Sequence, residues 1–133
     1  MAHILGDAVK PLRTDRVAGN IFTTPEIATV GVSEKDIEEG LYRGDTVMLS
    51  LTTNPRAKMM AVSDGFVKVF ARKHSGTVIG GVVVGPRASE LIFPISLAVE
   101  KKLTVDDLAE TFTVYPSLSG SVSEAARKLH TRG

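Results

Sequence analysis

A chain of 133 residues with 16 basic and 15 acidic side chains, net charge +1, has the length of one domain, which can bury roughly two-thirds of its unfolded surface. It has no cysteine and no tryptophan, so no disulfide framework or thiolate metal site is available, and near-neutral charge argues against nucleic acid or an anionic membrane as partner. The longest apolar run, residues 77–84, is far too short to span a bilayer and no signal-like segment opens the chain; a soluble, cytoplasmic domain is expected.

Met1-Ala2-His3-Ile4-Leu5-Gly6 reads like the end of a helix, and residues 7–20, with Pro11, Gly19 and charges of no clear period, like a connector. A first strand is predicted near 27–32. Ser33 and Asp36 then match a capping box, Val32 and Ile37 a hydrophobic staple and Gly40 a stop, which predicts a short helix over 34–39. Val47, Leu49 and Leu51 alternate with Thr46, Met48 and Ser50, the period of a strand with one buried face.

Asn54-Pro55 breaks that strand, residues 56–60 form a helical turn, and Asp64-Gly65 reverses the chain into a strand over 66–72. Val67, Val69 and Ala71 share one face of it; Phe66, Lys68, Phe70 and Arg72 share the other. After Ser75-Gly76, the unbroken apolar run of 77–84 predicts a central strand buried on both faces.

From 88 to 102 the period changes: Ala88, Leu91, Ile92, Ile95, Ala98 and Val99 make a wide stripe on one helix, with Pro94 inside it predicting a kink. Thr104 and Asp107 match a second capping box, with Leu103 and Leu108 as its staple, so a short helix follows. Residues 111–115 read as a short strand ended by Pro116, with the Tyr115 ring aimed into a buried junction. Ser121 and Glu124 match a third capping box, opening a helix with Val122, Ala125, Ala126 and Leu129 on its apolar stripe. Strands first and helices after predict an α+β two-layer sandwich, a mainly antiparallel sheet covered by helices.

Little of this carries chemistry by itself. His3, His74 and His130 stand far apart without metal-ligand spacing and read as surface or terminal residues, so no metal site is expected. The run Gly76-Thr77-Val78-Ile79-Gly80-Gly81 has its glycines inside or before a strand rather than between a strand and a helix, which suits close backbone packing better than phosphate binding. Ser117-Leu118-Ser119-Gly120 lacks the leading glycine and the parallel strand of a nucleophile elbow. Arg56 and Lys58 read as a solvated pair rather than an anion site. Glu90 suits the first turn of its helix through the macrodipole.

Three segments, in order across nearly the whole chain, resemble one family. Tyr115-Pro116-Ser117-Leu118-Ser119-Gly120 is similar to the His-Pro-Thr-Leu-Ser-Glu segment in the C-terminal interface, or dimerisation, domain of the FAD-dependent pyridine nucleotide-disulfide oxidoreductases, the dihydrolipoamide dehydrogenase type. Thr23-Thr24-Pro25-Glu26-Ile27-Ala28-Thr29-Val30-Gly31 resembles that domain's opening strand, and Gly85-Pro86-Arg87-Ala88-Ser89-Glu90-Leu91-Ile92 the entry to its long helix. Two positions depart from the pattern: Tyr115 stands where the family has its acid-base histidine, and Gly120 where it has the glutamate that orients that histidine. In this respect the chain is similar to actinobacterial NAD(P)H:quinone reductases of the family, which lack the dyad.

The resemblance implies that residues 1–20 are the tail of a preceding FAD domain and a connector, and 21–133 the dimerisation domain. It implies a homodimer, with FAD and NAD(P)H bound mainly by domains outside this chain and none bound by the chain alone. Tyr115 and Pro116 would approach the FAD of the partner subunit, and no residue here would be catalytic. The longer protein would reduce quinones rather than disulfides. A free-standing dimeric interaction module without a redox role is the alternative.

Overall fold

The computed structural model describes residues 2–6 and 8–130. Alternation along the strands builds its core. Strand β2 (Glu26–Gly31) buries Ala28 and Val30, β3 (Gly44–Ser50) buries Val47 and Leu49, and β4 (Phe66–Arg72) buries Val67, Val69 and Ala71. With β1 (Gly19–Ile21) and β5 (Val78–Gly85) they form one antiparallel sheet in the order β1-β2-β5-β4-β3. The unbroken apolar run is thus the central strand, as its composition predicts. Burial on both faces holds for its first four residues; further on, Val83 points into the core while Val82 and Val84 are half-buried on the other side.

Helix α3 (Ala88–Lys101) lays its predicted stripe, Ala88, Leu91, Ile92, Ile95, Ala98 and Val99, on the β2–β5 half of the sheet, and runs as one helix through Pro94. The final helix, α5 (Gly120–His130), covers the β3–β4 half with Val122, Ala125, Ala126 and Leu129, and α4 (Val105–Glu110) packs against it. These helices share one face of the sheet, giving the α+β two-layer arrangement. On the other face, α1 (Glu34–Glu38) reaches the sheet through an ion pair between Glu34 and Lys68, whose ammonium also sits 5.6 Å from the centre of the Phe66 ring. Phe70, on that face, is fully buried, so β4 is more enclosed than its alternation alone indicates.

Two of the three predicted capping boxes are present. Ser33 accepts from the Asp36 amide while the Asp36 carboxylate accepts from the Ser33 amide, and Thr104 and Asp107 reciprocate in the same way. The third is absent: Ser121 lies inside α5, fully buried, with its hydroxyl bonded elsewhere, and Glu124 is exposed.

Two further expectations are corrected. The connector over 7–20 contains a 3-10 turn, Thr14–Arg16, and the first two residues of the edge strand β1, whose Gly19 pairs with Thr29 and Ile21 with Ile27. Three residues on an edge are too few to show a period in sequence. Residues 111–115 are not a strand, and Phe112, Val114 and Tyr115 are exposed there. They pair with no strand of the sheet, so their β-favouring composition has no ladder to join.

Candidate functional site at the Tyr115–Pro116 turn

Between α4 and α5 the chain crosses the surface in a link, residues 111–119, whose two ends are fixed while its middle stands out. At the first end the Thr111 hydroxyl donates to the Asp107 carbonyl at 2.6 Å, and the Arg127 guanidinium donates to the Ala109 carbonyl at 3.1 Å. At the second, Leu118 is buried, the Gly120 amide donates to the Ser117 hydroxyl oxygen at 3.2 Å, and the Ser121 amide donates to the Leu118 carbonyl at 3.0 Å. Tyr115 is held between these anchors with 82% of its surface exposed. Its ring therefore does not fill a junction in this chain, contrary to the sequence expectation, and its hydroxyl has no hydrogen-bond partner among the described residues. A large aromatic left in water on an anchored turn is disposed to meet something outside this chain.

The anchoring reaches further through Asn54. The sequence reads this residue as a strand breaker, but it is buried: its Oδ1 accepts from the amides of Arg56 at 2.8 Å and Ala57 at 3.2 Å, capping α2 (Pro55–Met59). Its Nδ2 donates to the Ser117 carbonyl at 2.9 Å and the Ser121 hydroxyl at 2.7 Å. The only local signal for such a role is the Asn-Pro pair, since asparagine favours the N-cap and proline the first helical position.

Beside the turn lies an open cleft of about 600 Å³, lined among others by Glu26, Arg56, Arg87, Pro116, Ser117 and Ser119. Arg56 thus borders the cleft, whereas Lys58 does not line it, so the two are not one anion site. Arg87 takes a left-handed conformation, φ 60, as the residue before α3. The carboxylate that reaches the α3 amides is Glu26, which accepts from the Ser89 amide at 3.3 Å. Glu90 lies in the first turn, as predicted, but is exposed.

The other sequence candidates stand apart from this turn. His74 is exposed in the β4–β5 turn, His130 pairs with Asp106 on the surface, and the side chain of His3 lies outside the described residues. No group of three metal-ligating side chains occurs among the described residues. Gly80 and Gly81 are in β5 against neighbouring backbone, as close packing requires. An added Cβ on Gly80 would stand 2.5 Å from the Val32 carbonyl oxygen. At Gly120, by contrast, the nearest atoms would be 3.6 Å away, in ordinary contact, so nothing in the packing demands glycine there.

Comparison with known proteins places this geometry. The description "pyridine nucleotide-disulphide oxidoreductase, dimerisation domain" matches residues 17–126. The chain belongs to this family. It is 56% identical over 129 residues to an NAD(P)H dehydrogenase (quinone) of Mycobacterium tuberculosis, covering 97% of this chain and 26% of that protein. To a dihydrolipoyl dehydrogenase of Haloferax volcanii it is 39% identical over 124 residues, 93% of this chain and 26% of the relative. The crystal structure of LpdA from Mycobacterium tuberculosis superposes with a TM-score of 0.93 at 55% identity, over 96% of this chain and 28% of that one. The HOCl-induced flavoprotein disulfide reductase RclA of Escherichia coli shares the fold, with a TM-score of 0.84 at 22% identity over 95% of this chain and 29% of that one. The chain spans about a quarter of the length of these relatives.

The residues present fit a flavin at one edge only. The exposed Tyr115 ring and the neighbouring Pro116 can meet a planar ring system by stacking or edge contact. In the described fold no two adjacent strands run parallel, so the parallel strand-helix-strand unit that cradles a dinucleotide pyrophosphate is not among the described residues. No helix among the described residues is long and apolar enough to cross a membrane.

Proposed function

We propose that this chain is the dimerisation domain of a longer FAD- and NAD(P)H-dependent oxidoreductase, in which it pairs two subunits and brings Tyr115 and Pro116 beside the flavin of the opposite subunit. Residues 1–20 serve as the tail of a preceding FAD domain and connector, and 21–133 as the pairing domain. The observation that carries this reading is the Tyr115 side chain, 82% exposed on a turn fixed at both ends, at the position where the family has its acid-base histidine. The flavin, when bound, supplies electron transfer; this chain supplies a planar neighbour and a shielded edge, without an imidazole to hand a proton to a thiolate. The longer protein is accordingly a quinone reductase in this reading, as the name of its relative at 56% identity supports.

Subunit complementation tests the placement in trans. In the longer flavoprotein, a Tyr115→Ala subunit able to bind FAD is paired with a Tyr115-bearing subunit that cannot. The flavin of the mixed dimer is expected to emit as in the unaltered protein. Emission like that of the Tyr115→Ala homodimer would place the tyrosine away from the partner's flavin and overturn this placement.

A further inference from the structure

The Tyr115–Pro116 turn has no strand or helix of its own, yet its position must be reproducible if it is to meet a partner's flavin. Backbone in such a segment is fixed only where its polar groups have partners inside the protein. One side chain from a distant part of the sequence supplies such a partner at Ser117. Asn54 is 5% exposed, and its amide makes four hydrogen bonds: two accepted from the first amides of α2 and two donated, to the Ser117 carbonyl and to the fully buried Ser121 hydroxyl. The side-chain amide is therefore satisfied on both sides, and none of the four contacts is offered to solvent.

We infer that Asn54 is a positioning residue for the Tyr115–Pro116 turn, coupling the start of α2 to the segment proposed to meet the flavin. Its acceptor oxygen serves α2, and its donor nitrogen serves the turn. The two ends of one amide thus hold Arg56 and Ser117, which both line the same cleft, in a fixed relation. No other described side chain donates to the Ser117 carbonyl. This inference rests on the proposed flavin contact for its catalytic meaning, but the positioning itself can be read without it.

The division of labour within the amide makes the test selective. In the longer FAD-loaded protein, Asn54→Asp keeps the acceptor that caps α2 and removes the donor to Ser117, while Asn54→Ala removes both. Val30→Ala, which empties core volume on β2 at a residue that does not line the cleft, serves as a control for general destabilisation. Two readouts are taken: amide exchange over residues 113–121 and flavin emission relative to the Tyr115→Ala variant.

Both Asn54 variants are expected to speed exchange over 113–121 at least tenfold and to move flavin emission toward that of Tyr115→Ala, with Val30→Ala doing neither. Ser121→Ala, losing one of the two donated bonds, should fall between. Unchanged exchange in Asn54→Asp, or equal changes in Val30→Ala, would overturn the positioning role. If Tyr115→Ala itself leaves the emission unaltered, the flavin contact is wrong, and the exchange measurement still decides whether Asn54 fixes the turn.

Discussion

Gly81 lies directly beneath Ile95: a Cβ on Gly81 would stand 2.8 Å from the Ile95 Cγ2 and 2.8 Å from the Lys68 carbonyl oxygen. The central strand can carry α3 this closely only because its middle has no side chain there. Gly81→Ala should therefore force the helix outward or the strand apart. A loss of about 1–3 kcal/mol is expected, the usual cost of overpacking a well-filled core. Chemical denaturation checks it; an unchanged midpoint would show that Ile95 can turn away freely.

The two capping boxes make stability depend on acid. The Ser33 hydroxyl and amide hold the Asp36 carboxyl below the usual carboxylate range, and the Thr104 amide and hydroxyl do the same for Asp107. Both carboxylates thus titrate lower in the folded chain than in the unfolded one, so the unfolded chain takes up the protons first as the pH falls. Their contribution is complete above about pH 4, the ordinary aspartate range, and is lost as the pH drops through the lower folded values. The unfolding temperature should hold between about pH 7 and 5 and fall below about 4. The Asp36→Asn, Asp107→Asn double variant should start lower at neutral pH and show a flatter acid limb.

What the sequence made legible follows from how local each signal is. The α3 stripe, the capping boxes at Ser33 and Thr104 and the apolar run of β5 each depend on residues a few positions apart, and all are found where the spacing put them. Ser121 failed as a cap for a non-local reason: its hydroxyl is the partner of Asn54, 67 positions away. The exposure of Tyr115 was equally illegible, because an aromatic beside proline looks alike whether its cover is the core or another molecule. Only the resemblance of the Tyr115–Gly120 segment singled out the turn as a site.

The apolar surface left over points to self-association. Phe112, Val114 and Tyr115 on the turn, with Phe93 and Leu97 on the outer side of α3, contribute to that surface. A two-fold pair is the usual way to cover such a surface. Light scattering of the chain at micromolar concentration should report a dimer, and Phe93→Glu with Phe112→Glu should return it to a monomer. A concentration-independent monomer before substitution would place the pairing surface in other domains.

Flavin should bind this chain weakly when it is alone. One exposed tyrosine edge offers too few contacts to offset the freedom lost on association, so a dissociation constant no tighter than about millimolar is expected. Titration of FAD emission measures it. Saturation in the micromolar range would reveal a fuller site than the Tyr115–Pro116 edge.

The proposed function is tested most directly by what the longer protein reduces. Proton transfer in dithiol exchange near neutral pH suits an imidazole, whereas a phenol ordinarily titrates near pH 10. In the proposed reading, tyrosine at 115 and glycine at 120 leave disulfide turnover without its acid-base pair, whereas quinone reduction does not require one. The direct measurement is the steady-state rate of the full-length flavoprotein with a naphthoquinone and with lipoamide under the same conditions. Quinone reduction exceeding lipoamide reduction at least a hundredfold is the expected result, with Tyr115→His, Gly120→Glu raising only the lipoamide rate where a redox cysteine pair is present. Lipoamide reduction by the unaltered protein at a rate matching its quinone reduction would contradict the central claim.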